Sequence, residues 1–476
     1  MIALLDRLDD RLSPMLVKEL RQGIKSRAFA ISFMLMQGLM VFCVLMYLLA
    51  LDNASDRQFF DALFWACVSI PLVLIMPMRG NNAIQGEVKE KTLELILLTR
   101  LSAWRIILGK WASLFTQTLL IACAILPYAV LRYFLGSVNV AENLLTLGFL
   151  LCVSSLLTAA SVACSTLRLH FVRGLYVLVF IFGFNIIPGL LFGGMSRSSS
   201  LFGSFGVLTL VSVVAFTGLL SLLFLQWGAG RIAPQAENHD SRKRITTLII
   251  ILVAFIVAKL GGSEHILYLS LAFLIPVCVD ALCSQPRALP SLYVPFGKRG
   301  FFARFVGRHL YPGWPSGFLY SALTLTLLFL MIASEVGFTE RLIVIFVSLV
   351  GAICLPLSLI LLVRPRTEKL MAAYTFIQIG LVVLFSVTSG VHAAYANFPI
   401  EAVKSIPIAA FVSQLVNDYP MELFPITAGI SGVSALVLAF LMVRPLRHIG
   451  QLELAVTART SGGSAPAVPP PLPPQV

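Results

Sequence analysis

Long apolar runs separated by short polar breaks form the pattern of this chain. A run of about 20 apolar residues is long enough to cross a bilayer as a helix. The pattern therefore predicts an all-helical, polytopic transmembrane bundle of about twelve spans. These spans are expected at residues 29–50, 59–78, 106–131, 144–166, 174–194, 205–227, 245–258, 266–285, 317–334, 342–363, 370–391 and 424–443.

The polar stretch before the first span, residues 1–28, has its own periodicity. Leu16, Leu20 and Ile24 recur at four-residue spacing, so they share one face of a helix, with basic residues on another face. Such a helix is predicted to lie along the cytosolic surface of the bilayer rather than to cross it. An ordinary basic flank before a first span would have a similar composition.

Residues 229–244 are polar and contain three consecutive basic residues, Arg242 to Arg244, which makes this stretch the best internal boundary. This stretch is predicted to be a cytosolic linker. It would separate a six-span domain at 29–228 from a second six-span membrane domain at 245–446.

Two further segments differ from the spans in composition. The inner loop at 285–317 mixes aromatic and basic residues, and we expect its Tyr, Trp and Phe side chains to anchor it at the membrane interface. The end of the chain, 447–476, is rich in proline and is predicted to be a disordered cytosolic tail.

Composition and charge support a membrane protein. The chain is 58% hydrophobic and 12% charged, whereas a soluble domain has about 25% charged residues. The net charge of +13 follows from topology, since a cytoplasmic N-terminus leaves most of the 35 Lys and Arg residues on the inner side. No nucleic acid is needed to explain it. The basic residues on or near the outer side would be Arg57, Arg132, Arg197, Lys259, Arg341 and Lys404.

The sequence shows little that would support catalysis. It has no G-x-x-x-x-G-K-[ST] phosphate-binding loop, so the chain is not expected to hydrolyse ATP by that route. Its six histidines are scattered without a metal-ligand spacing, and we expect no cofactor and no metal. Charges near the spans, such as Lys110, lie close to segment ends, where long side chains can snorkel. Polar residues deeper in the spans, such as Gln117 and Gln378, are interpreted as hydrogen-bonding groups between helices.

The densest charge cluster is the stretch "GEVKEKTLELILLTR" at 86–100. Glu87 and Lys91 have the favourable i,i+4 spacing, and the leucines gather on another face. The stretch is predicted to be an amphipathic helix at the cytosolic surface, which could present its carboxylates to a soluble partner. A solvated helix without a partner fits these residues equally well.

Two motifs resemble those of type-2 ABC exporter permeases. The run "EVKEKTLELILLTRLSAWRIILGK" from Glu87 to Lys110 is similar to the acidic segment that follows their second span. The run "PMLVKELRQGIKSRAF" from Pro14 to Phe29 resembles the connecting helix before their first span. The resemblance covers about residues 14–230, one six-span unit. It departs from the family pattern at Arg100, where proline is usual, and at Lys91, where glycine is common.

The resemblance implies a set of contacts for this chain. A separate cytosolic ABC ATPase subunit would dock on the coupling helix, through the residues Glu87, Thr92, Leu93, Glu94 and Leu97. The connecting helix would lie beside it with Lys18, Glu19 and Arg21. A second permease copy would complete the pore as a homodimer, unless the twelve spans form the pore within one chain.

The expected function is that of the membrane-spanning permease subunit of an ABC exporter. It would move an unidentified substrate across the bacterial inner membrane, with both termini cytoplasmic. The alternatives are a scaffold that has the permease architecture without transport, a secondary transporter and a membrane-embedded enzyme. The transporter and the enzyme are disfavoured because the spans contain neither a deep acidic group nor a cluster of catalytic side chains.

Overall fold

The computed structural model is helical wherever it describes regular structure. The described residues are 14–49, 54–85, 102–134, 140–166, 207–234, 237–260, 265–285, 292–293, 296, 301–363, 370–394, 400–415 and 419–460. No strand occurs among them, which confirms the all-helical fold class. The coupling stretch at 86–100, the predicted fifth span at 174–194 and the last residues of the tail lie outside the described part.

The chain divides into two compact units, Met1–Pro234 and Gln235–Val476. The helices of the first unit are α1 (Pro14–Ile24), α2 (Arg27–Leu49), α3 (Ala54–Ser69), α4 (Met76–Gly80), α5 (Ala103–Phe134), α6 (Val140–Ser165) and α7 (Val207–Ile232). A π-helical turn, Ile70–Ile75, joins α3 to α4. The assignment of the two units to the predicted domains stays a prediction.

The second unit begins with α8 (Asp240–Lys259), and its remaining elements are α9 (His265–Leu282), α10 (Phe301–Leu310), α11 (Trp314–Val336), α12 (Glu340–Val363), α13 (Leu370–Ala394), α14 (Glu401–Lys404), α15 (Pro407–Leu415), a 3-10 turn at Met421–Leu423 and α16 (Phe424–Thr460). Helix α12 packs against α16, α15 and α13, which makes it central in this unit.

Nine helices in the described part are long and apolar enough to cross a membrane, which indicates a multi-pass membrane protein. They are Phe29–Leu48, Leu63–Gly80, Ala103–Phe134, Asn143–Ser165, Val211–Ile232, Trp314–Val336, Glu340–Val363, Leu370–His392 and Met421–Glu453. Each coincides with one of the twelve predicted spans.

The other three predicted spans stay predictions. Residues 174–194 lie outside the described part. Helix α8 covers 245–258 but opens with four charged residues in its first five positions, so it is not among the nine. Helix α9 covers most of 266–285, and the stretch Phe273–Leu282 within it is apolar but shorter than a full span.

Small residues on α6 let neighbouring helices approach closely. A Cβ built at Gly80 would lie 3.0 Å from Cβ of Ser161, and one built at Gly228 would lie 3.1 Å from Cα of Ala163. Close approach through small residues is a common way for membrane helices to pack, because lipid supplies no hydrophobic drive between them. Helix α6 therefore serves as the packing centre for α4 and α7.

The π-helical turn has a polar contact that explains how it is tolerated in an apolar interior. Met76 N donates to the carbonyl of Pro71, in the i to i+5 pattern of a π-helix. The next donor in that pattern would be Pro77, which has no N–H. The Ser154 hydroxyl of α6 donates to the carbonyl of Leu72 at 2.5 Å instead, and both residues are buried.

The loop before α11 is fastened inward rather than spread on the interface. Tyr293, Tyr311 and Trp314 are buried, which contradicts the expectation of interfacial anchors for these three, whereas Phe302 and Phe305 of the same segment are exposed. Arg244 accounts for the difference, because its buried guanidinium donates to the carbonyls of His309 at 2.9 Å and Tyr311 at 2.7 Å.

Lys243, beside this arginine, is held in an ion-pair network. It pairs with Asp240 at 2.9 Å and with Asp280 of α9. Burial alone lowers the pKa of Lys243, but the carboxylates of Asp280 and Asp240 hold that pKa above its ordinary value. The basic cluster that the sequence assigned to a linker thus joins α8 to its neighbours.

Candidate functional site

The candidate site is the place where α1 and the end of the second candidate span meet the start of α5. We call it the polar junction and define it by Glu19, Ser26, Arg79, Lys110 and Gln117. Glu19 lies on α1, Ser26 lies in the turn after α1, and Arg79 lies in the last turn of α4. Lys110 and Gln117 lie on α5.

Helix α1 approaches α5 at a glycine. A Cβ built at Gly23 would lie 2.2 Å from Nε2 of Gln117, closer than real Cβ contacts come. Gln117 cannot easily move aside, because it is buried and hydrogen-bonded on both sides. Glycine is therefore required for this contact.

An ion pair joins the two sequence motifs. Nζ of Lys110 lies 3.1 Å from Oε1 of Glu19, and the side chains are 5% and 21% exposed. The position of Lys110 near a segment end suggested that its side chain snorkels to the membrane surface. The side chain is instead buried and paired within the protein. A buried ammonium is costly unless it is paired, so Glu19 stabilises Lys110 in place.

A second polar contact ties the end of α4 to the same place. Arg79 donates through Nη1 to Oε1 of Gln117 at 2.7 Å and through Nη2 to Oγ of Ser26 at 3.1 Å. Its guanidinium also lies over the ring of Phe29, 5.8 Å from the centroid. A cation in the last turn of a helix is further favoured by the helix dipole.

Ser26 organises the turn between α1 and α2. Its hydroxyl donates to the carbonyl of Gly23 at 2.6 Å and accepts from the backbone N–H of Phe29 at 3.2 Å. This is the capping arrangement that serines provide at helix starts. One hydroxyl thus ends α1, begins α2 and receives Arg79.

The junction brackets the predicted docking stretch along the chain. Arg79 precedes residues 86–100, and Lys110 follows them on α5. Just after Arg79, Ile84 is fully buried in a cluster with Ile107 and Val162. The chain therefore leaves the junction and returns to it from fixed points on both sides of the stretch.

Of the predicted site residues, only those on α1 lie in the described part of the chain. Glu19 is part of the junction, while Lys18 and Arg21 are exposed on α1. The predicted docking residues all lie outside the described part: Glu87, Thr92, Leu93, Glu94 and Leu97. Their placement stays a prediction.

Four residues of the junction were not predicted as part of a site: Ser26 and Lys110 lie within the two motifs but had no predicted role, and Arg79 and Gln117 lie outside the motifs. Arg79 gave no signal except a charge at the end of an apolar run. Gln117 was interpreted as a hydrogen-bonding group between helices, which its bond to Arg79 confirms. In the described residues no group of three His, Cys, Asp or Glu side chains is placed to hold a metal ion.

Comparisons of the chain with protein-family models, with curated proteins and with solved structures found no match.

Proposed function

We propose that this chain is the membrane-spanning permease subunit of an ABC exporter in the bacterial inner membrane. It moves an unidentified substrate and is driven by a separate cytosolic ATPase subunit. The observation that carries the proposal is the polar junction, in which the Glu19–Lys110 pair fastens α1 to the helix that follows the docking stretch. The two motifs that resemble the family's meet there in space.

The junction supports a specific route for transmitting force. The ATPase subunit docks on the stretch at 86–100 and moves it when the nucleotide-binding subunits close. Because Arg79 and Lys110 are both held against α1 and its following turn, that movement reaches α1, α4 and α5 together. The spans around the pore then re-pack between two arrangements, as alternating access requires.

The energy source and the assembly follow from the chain's own content. Without a phosphate-binding loop in its sequence, the chain depends on a partner for ATP hydrolysis. Each chain has one docking stretch, so two chains are needed to engage two ATPase subunits. We therefore favour a homodimer over a pore formed by a single chain.

Co-purification tests the docking surface. The partner is the ATPase encoded by an adjacent reading frame, recognised by G-x-x-x-x-G-K-[ST] and by the lack of spans. We expect Glu94→Lys and Leu93→Asp to abolish its co-purification with the full chain while membrane insertion is retained. The first change reverses a carboxylate that would face the partner, and the second places a charge on the leucine face.

A matched control is available at Glu340. It is exposed at the start of α12, on the predicted outer side, so Glu340→Lys should leave co-purification unchanged. If both variants in the stretch retained the ATPase as well as the control does, the docking assignment would be wrong. A membrane scaffold would then be the better interpretation.

A further inference from the structure

The second unit contains a cavity of about 580 Å³ between α11, α12 and α16. This volume lies within the range of roughly 300–1,000 Å³ that is usual for small-molecule sites. The wall is aliphatic, aromatic or small, and none of the described residues that form it carries a charge. A charged ligand would find no partner there, so an uncharged one is favoured.

The cavity is elongated along the spans. On α11 its wall runs from Phe318 to Phe329, three turns or about 16 Å of helix. Phe329 and Phe346 line it from facing helices, with their ring centroids 5.2 Å apart. The shape suits a hydrocarbon chain better than a compact polar group.

One side of the cavity is open in the middle of the membrane-spanning helices. Ala322, Thr326, Ile343 and Gly432 are exposed, whereas the floor is buried. Thr326 lies near the centre of the candidate span Trp314–Val336. A molecule that enters beside Thr326 therefore comes from within the bilayer.

A single hydroxyl adds a polar requirement. Ser431 lines the cavity, and its Oγ is buried beside the wall and has no hydrogen-bond partner in the described part of the chain. It lies against Gly351, at the middle of the candidate span Glu340–Val363, because a Cβ built there would be 2.1 Å from this oxygen. Buried hydroxyls are normally satisfied, so a rotation of the Ser431 side chain toward the cavity would let this one donate to a bound oxygen.

We propose that this cavity binds an uncharged, single-chain lipid-soluble molecule whose hydrocarbon body fills it and whose oxygen accepts a hydrogen bond from Ser431. Long-chain alcohols and ketones have this chemistry. The ester oxygens of a phospholipid do not reach Ser431, because their headgroup stays at the membrane surface while the serine lies at mid-depth. The site goes beyond the proposed export function and does not depend on an ATPase partner.

The probe is hexadecanol with a diazirine in its chain, added to the full-length protein in phosphatidylcholine vesicles. We expect light to crosslink it to peptides from α11, α12 and α16 that line the cavity. Gly432→Leu should reduce this labelling at least tenfold, since a Cβ at Gly432 meets no atom within 4 Å and the side chain can enter the opening. Gly429→Leu is the matched control, because Gly429 is equally open, lies on the same helix and does not line the cavity.

Equal labelling of the two glycine variants would overturn the site, as would labelling concentrated on outward residues such as Phe440. Size-exclusion profiles verify that both variants fold. Ala435→Leu, which fills the same cavity from the next turn, replaces Gly432→Leu if that variant does not fold. Its failure to reduce labelling would count against the site in the same way.

The role of Ser431 is tested with a diazirine hexadecane that lacks the hydroxyl. The alcohol should bind wild type about fivefold more tightly than the hydrocarbon, as expected for one hydrogen bond. Ser431→Ala should remove this difference. Equal affinities in wild type would overturn the hydrogen bond. Labelling of the same peptides by a chain-diazirine phosphatidylcholine, as strong as that by the alcohol, would overturn the single-chain assignment.

Discussion

Arg79 and Gln117 are separated by 38 positions in the chain, and they are joined by a hydrogen bond of 2.7 Å. The bond ties the last turn of α4 to α5, while the same guanidinium donates to Ser26 beside α1. The contacts among α4, α5 and the turn after α1 thus depend on the Arg79–Gln117 hydrogen bond. A change that displaces Gln117 should therefore weaken all of these contacts together.

Gly23→Ala tests that dependence through steric displacement. The added methyl would lie 2.2 Å from Nε2 of Gln117, so Gln117 must move and lose its bond to Arg79. A hydrogen bond to a charged group contributes about 1.5–3 kcal/mol, more than the gain of about 1 kcal/mol from alanine's helix propensity. We expect a lower midpoint of thermal unfolding in detergent.

Gly38→Ala is the matched control for that experiment. A Cβ at Gly38 meets no atom within 4 Å, so only the propensity gain remains and the midpoint should stay or rise. In a Gln117→Ala background the obstacle is gone, and Gly23→Ala should then have no cost. A cost that persisted in that background would show that Gln117 is not the cause.

The Glu19–Lys110 pair predicts a coupling energy between two distant positions. Removing one partner of a buried ion pair costs about 3 kcal/mol, because the other charge loses a stabilising contact. We expect Glu19→Gln to lower the free energy of unfolding by this order and Lys110→Gln to do so as well. The double variant should cost much less than the sum of the two.

A double-mutant cycle measured by chemical unfolding in detergent gives this coupling directly. Lys18→Gln is the control on α1, since Lys18 is exposed and lies next to Glu19. Its effect should add to that of Lys110→Gln without coupling. Simple additivity of Glu19→Gln and Lys110→Gln would contradict the ion pair as a stabilising contact.

Removal of the Ser154 hydroxyl should lower the stability of the protein, whereas removal of the neighbouring Ser155 hydroxyl should not. Ser154→Ala leaves the buried carbonyl of Leu72 without a donor, because Pro77 cannot supply one. An unsatisfied buried acceptor costs about 1–3 kcal/mol. We expect the thermal midpoint to fall for Ser154→Ala and to stay nearly constant for Ser155→Ala. Similar behaviour of the two variants would show that the π-helical turn does not need this contact.

The spans were largely predictable from the sequence because a run of apolar residues is a local signal. Nine of the twelve predicted spans coincide with candidate spans in the described residues. The contacts between helices were not predictable in the same way. Glu19 and Lys110 were both identified within motifs, yet nothing in the sequence pairs positions 91 apart.

Identical residue types can also have different environments that the sequence does not distinguish. Ser154 and Ser155 are adjacent serines in an apolar run, and only the former faces Leu72. Similarly, Arg242 and Arg244 belong to one basic cluster, and the charge pattern predicted only that both lie on the inner side. Burial separates them, since Arg244 is 1% exposed and Arg242 is exposed.

Arg244→Lys should destabilise the second unit although the charge is kept. The guanidinium donates to the carbonyl of His309 in the last turn of α10 and to that of Tyr311 in the turn before α11. It also lies 5.5 Å from the ring centroid of Tyr320. A lysine ammonium is a point charge that cannot reproduce a planar fork. Loss of one charged hydrogen bond would cost about 1.5–3 kcal/mol.

Arg242→Lys provides the matched comparison, two positions away and exposed, and it should change the midpoint of thermal unfolding by less than a degree or two. Limited proteolysis gives an independent measurement. Because Arg244 fastens the loop before α11, the lysine variant should be cleaved near 293–313 faster than wild type, while Arg242→Lys should not. Equal cleavage rates for the two variants would mean that the loop is held by its buried tyrosines and not by the arginine.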